Sequence, residues 1–234
     1  MRRLICNSDD LRWHDERHAR ITASEAAAVL GRVPARWPKQ RRDVFDDKVG
    51  PMTIWGGNRR TKWGSFDEPQ ILAAFASMTG LRVRRSNAFY ENERAEGVGA
   101  TTDAIIRAPR GWDPDFHADL WGVDDRMKEA MMGELRCLQA LMTDRGRIGL
   151  GEAKLTEGFF AKEWDNGCPD HYRCQVEVQL AVTEMPWAFL ICRVGAADMR
   201  WRLISEPASD ETMAALCDFR DEIDAARERE KEVA

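Results

Sequence analysis

The sequence lacks long apolar segments. Its 234 residues contain no apolar run approaching the ~18–20 residues that a membrane-spanning helix needs. The first ten residues, MRRLICNSDD, contain two arginines but no apolar stretch long enough for a signal peptide. Internal repeats and long low-complexity stretches are also missing, and a content of 44% hydrophobic and 32% charged residues is typical of globular proteins. We therefore expect a protein that is neither membrane-spanning, secreted nor fibrous.

The cysteines are too scattered for the disulfide framework of a small secreted protein. There are six, at positions 6, 137, 168, 174, 192 and 217. We therefore expect free thiols in a reduced, intracellular protein.

The net charge of −5 does not by itself predict binding to nucleic acid. The charge is unevenly distributed, however. Residues 1–62 contain 14 lysines and arginines against 8 acidic residues, whereas residues 63–234 contain 21 against 32. A basic first quarter could bind a polyanion while the acidic remainder holds metal ions, although ordinary surface scatter would give the same asymmetry.

Helical and strand periodicities alternate in a way that predicts an α/β fold. The predicted helices cover 21–30, 65–79, 169–183 and 209–231, and the predicted strands cover 82–91, 98–107, 148–155, 187–194 and 199–205. Between the second and third strands lies segment 108–147, which is loop-like at first and then helix-like. This order predicts a single domain, 1–234, with a mixed sheet of about five strands and helices on its faces.

Three residues on two of these strands could meet in space. Asp103 lies in the second strand, and Glu152 and Lys154 form a Glu-x-Lys pair in the third. Because side chains alternate along a strand, Glu152 and Lys154 emerge on the same face. If the two strands are neighbours, two carboxylates can hold Mg²⁺, which acidifies a bound water for phosphodiester hydrolysis. Taken alone, the pattern favours an exposed surface pair instead.

Further motifs stand in a characteristic order around these three residues. Residues 13–24 read WHDERHARITAS, residues 63–68 read WGSFDE, and the helix that starts near Pro169 carries Tyr172 and Gln175. In this order, the chain resembles the YqaJ-type viral recombinase nucleases of the lambda exonuclease type, which belong to the PD-(D/E)xK superfamily. The resemblance extends over about 13–194 and is interrupted by segment 108–147.

The resemblance implies a restriction-endonuclease-like core and roles for individual residues. The implied metal ligands are Asp103, Glu152 and the Ala153 carbonyl. The implied catalytic residues are Asp103, Glu152, Lys154, Glu68 and Gln175, with Glu68 helping to position metal-bound water. The residues implied in binding DNA and its 5′ phosphate are Arg17, Ser24, Thr101 and Tyr172. An arginine with hydroxyls beside a helix start suits a phosphate physically.

The resemblance also implies an activity and partners. It implies a Mg²⁺-dependent DNA exonuclease, with Mn²⁺ able to substitute, that digests one strand of a linear duplex from 5′ to 3′ and leaves a 3′ single strand. The implied partners are double-stranded DNA ends, a single-strand annealing protein and further copies of the chain in a homo-oligomer such as a trimer. The implied location is the cytoplasm of a bacterium or of a phage-infected host cell.

The sequence departs from the family pattern near the first aspartate and after the lysine. The usual Ser/Thr-Pro-Asp-Gly is Thr-Thr-Asp-Ala at 101–104, and the usual Glu-x-Lys-Cys-Pro is Glu-Ala-Lys-Leu-Thr at 152–156. Segment 108–147 is interpreted as an insertion in the hairpin between these motifs. It could be a DNA-engaging flap, an oligomer contact or an arm that docks a partner.

Two other functions remain open. A PD-(D/E)xK endonuclease in phage DNA processing or defence would use the same residues but would cut closed circles. A nuclease-like module could instead bind DNA or a protein without turnover, although the complete set of Asp103, Glu152, Lys154 and Glu68 argues against it. Most of the nine tryptophans are expected in the core, but Trp37 and Trp55 in the basic quarter are candidates for stacking on single-stranded bases.

Overall fold

A computed structural model of the chain describes residues 1–52, 59–117, 125–165, 167–196 and 198–233. The strands are β1 (Arg2–Asn7), β2 (Ile21–Thr22), β3 (Arg82–Asn92), β4 (Ala95–Arg107), β5 (Ile148–Thr156), β6 (Ala188–Val194) and β7 (Asp198–Ile204). The helices are α1 (Trp13–His18), α2 (Ala23–Val29), α3 (Arg41–Val49), α4 (Arg59–Thr79), α5 (Pro114–His117), α6 (Asp125–Arg145), α7 (Asp170–Thr183) and α8 (Asp210–Val233). A 3-10 helix, Gly158–Trp164, follows β5.

The strands within these ranges form one mixed sheet in the order β1-β3-β4-β5-β6-β7, with β2 paired to β4. Neighbouring strands are antiparallel except for β5 with β6 and β2 with β4, which are parallel. The parallel pair β5 and β6 is joined by a crossover that contains α7, as parallel strands require. β6 (AFLICRV) is an almost continuous apolar run because helices cover both faces of this central strand.

All five predicted strands are present, and the α/β class with a mixed sheet is confirmed. The sequence did not predict β1 or β2. The first predicted helix starts at Ala23 rather than Ile21, because Ile21 and Thr22 pair with Val98 and Gly99 of β4. Two residues are too few to show the alternation of a strand, so β2 can be identified only from its pairing with β4.

The alternation of side chains along β6 divides the core between the two faces of the sheet. Phe189 and Ile191 pack with α4 and α6, whereas Leu190 and Cys192 pack with α7. On the first face, the Phe75 ring lies 5.2 Å from the rings of both Phe189 and Trp201. A further cluster on the second face joins α2, α7 and α8 to β4.

Part of segment 108–147 belongs to this core. Met131, Leu135 and Leu138 of α6 are fully buried in the cluster that contains Phe75. The Trp201 indole donates a hydrogen bond to the Met131 carbonyl at 3.1 Å. α6 is therefore a covering helix of the sheet, while residues 118–124 of the segment lie outside the described ranges.

No helix in the described part of the chain is both long and apolar enough to cross a membrane.

Two glycines provide a matched test of this packing. A Cβ added at Gly149 of β5 would lie 2.2 Å from the Trp187 ring and 2.5 Å from the Trp187 carbonyl oxygen, whereas a Cβ at Gly133 of α6 would meet nothing within 4 Å. We expect Gly149→Ala to lower the free energy of unfolding by about 1–3 kcal/mol, the usual cost of overpacking. Gly133→Ala should raise it by up to about 1 kcal/mol, because alanine favours a helix. Urea unfolding of both variants measures this, and equal effects would contradict the packing described.

Candidate active site

The predicted acidic residues are brought together by the pairing of β4 with β5. The antiparallel ladder runs from Arg107 opposite Ile148 to Ala104 opposite Gly151. Asp103 and Glu152 follow directly after the last of these pairs, and the Asp103 carboxylate accepts a 2.9 Å hydrogen bond from the Ala153 N–H. The hairpin therefore closes across segment 108–147 in a register that makes the two carboxylates neighbours.

Lys154 and Gln175 both bind the Glu152 carboxylate. The Lys154 ammonium donates to Glu152 Oε1 at 2.7 Å and to Gln175 Oε1 at 2.9 Å. Gln175 Nε2 in turn donates to Glu152 Oε1 at 2.5 Å. Strand alternation had predicted that Glu152 and Lys154 share a face, and here they form an ion pair on that face.

A second glutamine of α7 belongs to this network, although the sequence analysis did not single it out. Gln179 is buried and donates to Glu152 Oε2 at 2.6 Å and to the Thr101 carbonyl at 2.8 Å. Gln175 and Gln179 are four residues apart and thus one helical turn apart on the same face. The Gln-x3-Gln spacing opposite a predicted acidic strand was the signal that could have revealed it.

The neighbouring carboxylates raise the pKa values of both Asp103 and Lys154. Burial, and after it the charge of Glu152, raises the pKa of Asp103 well above its usual value. Burial acts to lower the pKa of Lys154, but the carboxylates of Glu152 and Asp103 outweigh it and raise that pKa. Lys154 is therefore an ammonium at neutral pH, whereas an ionised Asp103 is destabilised beside Glu152.

The donor set fits a hard divalent cation. Asp103 and Glu152 provide two carboxylates, and the backbone carbonyl of Ala153, which lines the same cleft, is a further oxygen donor. Across the described ranges, no group of three or more histidine, cysteine, aspartate or glutamate side chains is placed to hold a metal by itself. Mg²⁺ does not require such a group, because it keeps several water ligands beside one or two carboxylates. The pKa of Asp103 is raised by burial and by the charge of Glu152, and a bound cation would stabilise the ionised form of both carboxylates.

These groups lie in a cleft of about 1060 Å³. Six of the residues predicted for the site line it, namely Glu68, Asp103, Glu152, Ala153, Lys154 and Tyr172. Glu68 of α4 forms an ion pair with Arg85 of β3 at 3.1 Å. Its negative charge also contributes to the raised pKa of Asp103. Gln175, Thr101, Arg17 and Ser24 are not among the lining residues.

Arg17 and Thr101, two of the residues predicted to bind phosphate, are in contact. Arg17 Nη1 donates to the Thr101 hydroxyl at 2.6 Å, and the guanidinium lies over the rings of Trp13 and Phe89. Ser24 is exposed in the first turn of α2, and its hydroxyl lies 3.0 Å from the Thr22 hydroxyl. The backbone carbonyl of Thr101 is bound by Gln179, so this region is joined to the Glu152 network.

A buried ion pair that the sequence analysis missed holds Arg17 and the start of α2 together. Glu25 accepts hydrogen bonds from the N–H and the hydroxyl of Thr22, at 3.0 and 2.8 Å, and pairs with Lys48 at 3.0 Å. Lys48 also donates to the Arg17 carbonyl at 2.7 Å. Although burial acts to raise the pKa of Glu25, the charges of Lys48 and Lys39 and the bonds from Thr22 lower it to about 2.

Of the tryptophans noted in the sequence, the side chain of Trp37 is described, whereas those of Trp55 and Trp63 are not. Trp55 lies outside the described residues, as does the side chain of Trp63 in the predicted WGSFDE motif. Trp37, in contrast, lines the cleft.

The model of the YqaJ-like viral recombinase domain family matches residues 12–186 of the chain. The chain belongs to this family. The resemblance inferred from the motifs is thus confirmed, and the matched range contains every residue that the motifs singled out.

Solved structures share the fold over almost the whole chain. An alkaline exonuclease, LHK-Exo from Laribacter hongkongensis, is 17% identical with a TM-score of 0.63, covering 95% of this chain and 97% of its own. The same values apply to LHK-Exo in complex with dAMP. A phage-related exonuclease from Haemophilus somnus 129PT is 12% identical with a TM-score of 0.55, covering 94% and 99%. No curated protein matches the sequence. At these identities the structures confirm the nuclease-type fold.

Because burial and the charge of Glu152 disfavour an ionised Asp103, removing the Asp103 charge should raise the free energy of unfolding. A carboxyl whose pKa is raised on folding destabilises the protein above that raised pKa, and this penalty disappears below the unfolded pKa of about 3.9. In the presence of a chelator at pH 7.5, Asp103→Asn should therefore raise the free energy of unfolding by about 1 kcal/mol or more. The difference from the unmodified protein should shrink as the pH falls toward 4. Urea unfolding across this pH range measures it, and a destabilised variant at pH 7.5 would contradict the assignment.

Proposed function

We propose that this YqaJ-family chain is a Mg²⁺-dependent exodeoxyribonuclease that digests one strand of linear double-stranded DNA from its 5′ end. The observation that carries the proposal is the convergence of Asp103, Glu152 and the Lys154 ammonium in one cleft of a chain that belongs to this family. A protein of the same fold is an alkaline exonuclease described in complex with dAMP. A deoxynucleoside monophosphate is the product class that an exonuclease releases.

Asp103, Glu152 and the Ala153 carbonyl would hold the metal. When bound, Mg²⁺ supplies an acidified water and neutralises negative charge on the phosphate. Mn²⁺ has the same preference for oxygen ligands and would substitute.

The chain's own residues orient the reaction. Lys154 stays cationic, so it donates hydrogen bonds to the phosphate or to the attacking water rather than accepting a proton. Gln175 and Gln179 fix the Glu152 carboxylate from α7, which leaves its orientation little freedom. Glu68 lines the same cleft and would help to position water near Asp103.

Arg17, Thr101 and Ser24 would bind the 5′ phosphate at the end of the strand, and Tyr172 would contact the substrate beside Lys154. The guanidinium is preoriented by its 2.6 Å bond to the Thr101 hydroxyl and by the rings of Trp13 and Phe89. A preoriented arginine loses little conformational freedom when it binds an anion. The family relationship supports this role and also a homo-oligomer, such as a trimer, with a single-strand annealing protein as partner.

The central test compares linear and closed DNA. With Mg²⁺, the protein should progressively degrade a linear duplex that carries 5′ phosphates and leave covalently closed circles intact. Asp103→Ala should lower the rate by at least about 10³-fold, because the carboxylate holds the metal and electrostatic stabilisation is the largest single catalytic term. Product analysis by gel electrophoresis measures both outcomes.

Asp218→Ala is the matched control for this experiment. Asp218 is an exposed acidic residue of α8, so its removal should leave the rate unchanged. Cutting of closed circles would contradict the exonuclease and indicate an endonuclease. If all substrates survive with Mg²⁺ and with Mn²⁺, the protein is a binding module without turnover.

The phosphate role of Arg17 predicts a dependence on the chemistry of the DNA end. Arg17→Ala should slow digestion of a 5′-phosphorylated duplex by about 10–100-fold, because a hydrogen bond to a charged group contributes about 1.5–3 kcal/mol. The substitution should have little effect on a duplex with a 5′ hydroxyl, because that end has no terminal phosphate for Arg17 to bind. Arg229→Ala, which removes an exposed arginine of α8, is the control and should change neither rate. Equal losses on both ends would argue against a phosphate pocket at Arg17.

A further inference from the structure

The cleft has an aromatic wall, and its outer residue, Trp37, has no role in the proposed chemistry. Trp37 is half-buried, lies in the connection between α2 and α3, and lines the cleft together with His171 and Tyr172. None of the metal ligands or hydrogen-bond networks described above involves its indole ring. Because the half-buried ring borders the cleft, it can contact a molecule that enters there.

The loop that carries Trp37 is held in one conformation. The Trp37 N–H donates to the Pro34 carbonyl at 2.8 Å, which closes a turn. The side-chain amide of Gln40 donates to the carbonyls of Trp37 and Pro34, at 2.9 and 3.1 Å. Pro34 and Pro38 further restrict the backbone. The backbone that carries the indole is therefore preorganised, and a ligand that contacts the ring pays little for ordering the loop.

The aromatic wall leads from this loop to the catalytic lysine. The Trp37 ring lies 4.4 Å from His171, and the His171 ring lies 4.1 Å from Tyr172. The Lys154 ammonium is 5.1 Å from the Tyr172 ring. Burial, and after it the charge of Lys154, lowers the pKa of His171 to about 4, so its ring is neutral at physiological pH. The wall therefore offers uncharged aromatic rings next to the reaction centre.

Apart from Lys154, which we assign to the phosphate that is attacked, the cations near this wall are already paired. Within the described part of the cleft these are Arg193, bound to Asp67 at 2.6 Å, and Arg36, bound to Glu163 at 3.3 Å. A further phosphate beside the rings would therefore meet cations that already have carboxylate partners. The part of a nucleotide that suits the wall is consequently its base, since every base presents a π face to an aromatic ring.

We propose that Trp37, together with His171 and Tyr172, forms a binding site for an unpaired nucleobase of the strand being cut. Stacking on Trp37 holds the terminal nucleotide beside Lys154 after it has separated from its complement. The site tolerates all four bases, because stacking reads no hydrogen-bond pattern. This inference rests on the proposed nuclease function, and its experiment separates the two.

The test compares substrates with and without the terminal base. DNA duplexes with an unpaired 5′-terminal nucleotide are prepared with adenine or with an abasic sugar at that position, and binding is measured in EDTA so that no strand is cut. We expect the unmodified protein to bind the adenine substrate about tenfold more tightly than the abasic one. Trp37→Ala should lose this tenfold preference, whereas Trp37→Phe should keep most of it.

Three controls make the outcome specific. Phe116→Ala removes an exposed aromatic residue that does not line the cleft, and it should leave both affinities unchanged. Thermal unfolding of each variant reports loss of the fold, and Trp37→Phe still carries the test if Trp37→Ala is unfolded. Quenching of 2-aminopurine at the terminal position reports stacking directly.

An equal loss of affinity for both substrates in Trp37→Ala, or unquenched 2-aminopurine with the unmodified protein, would overturn the inference while leaving the nuclease function in place. If the unmodified protein binds and stacks the base but cuts no DNA with Mg²⁺ or Mn²⁺, the proposed activity fails and the base site stands.

Discussion

The buried carboxylate of Glu152 is the group on which the geometry of the cleft depends. Its two oxygens accept hydrogen bonds from the amides of Gln175 and Gln179 and from the Lys154 ammonium. A buried carboxylate without such partners is strongly destabilising, so the network ties α7 to β5. Because Tyr172 lies one turn before Gln175 and two turns before Gln179 on α7, the same contacts set the aromatic ring beside Lys154.

The site is assembled against a repulsion that the fold does not remove. Asp103 and Glu152 are neighbours across β4 and β5, and the raised pKa of Asp103 records the cost of two carboxylates in a desolvated place. Lys154 compensates only in part, since it is already bound to Glu152. Strongly perturbed pKa values of this kind are common at functional sites, where like charges are held close together.

The basic first quarter of the chain forms ion pairs with the acidic remainder. Several of its arginines pair with carboxylates beyond residue 62, at sites that range from buried to half-exposed. Cross-element ion pairs connect Arg20 with Glu91 at 3.0 Å, Arg32 with Asp170 at 2.6 Å and Arg41 with Glu222 at 2.8 Å. The charge asymmetry therefore helps to dock the first quarter onto the sheet, α7 and α8.

The sequence by itself determined the features that depend on near neighbours. Strand alternation put Glu152 and Lys154 on one face, helical spacing identified α7, and the order of the motifs identified the family. Tertiary structure alone decided the rest. It made β4 and β5 neighbours across segment 108–147, buried α6 in the core, added β2 to β4, and turned Gln179 and the pair Glu25 and Lys48 into supports of the site. Periodicity is a local property of a chain, whereas the partner of a buried polar side chain is chosen by packing between segments that are distant in sequence.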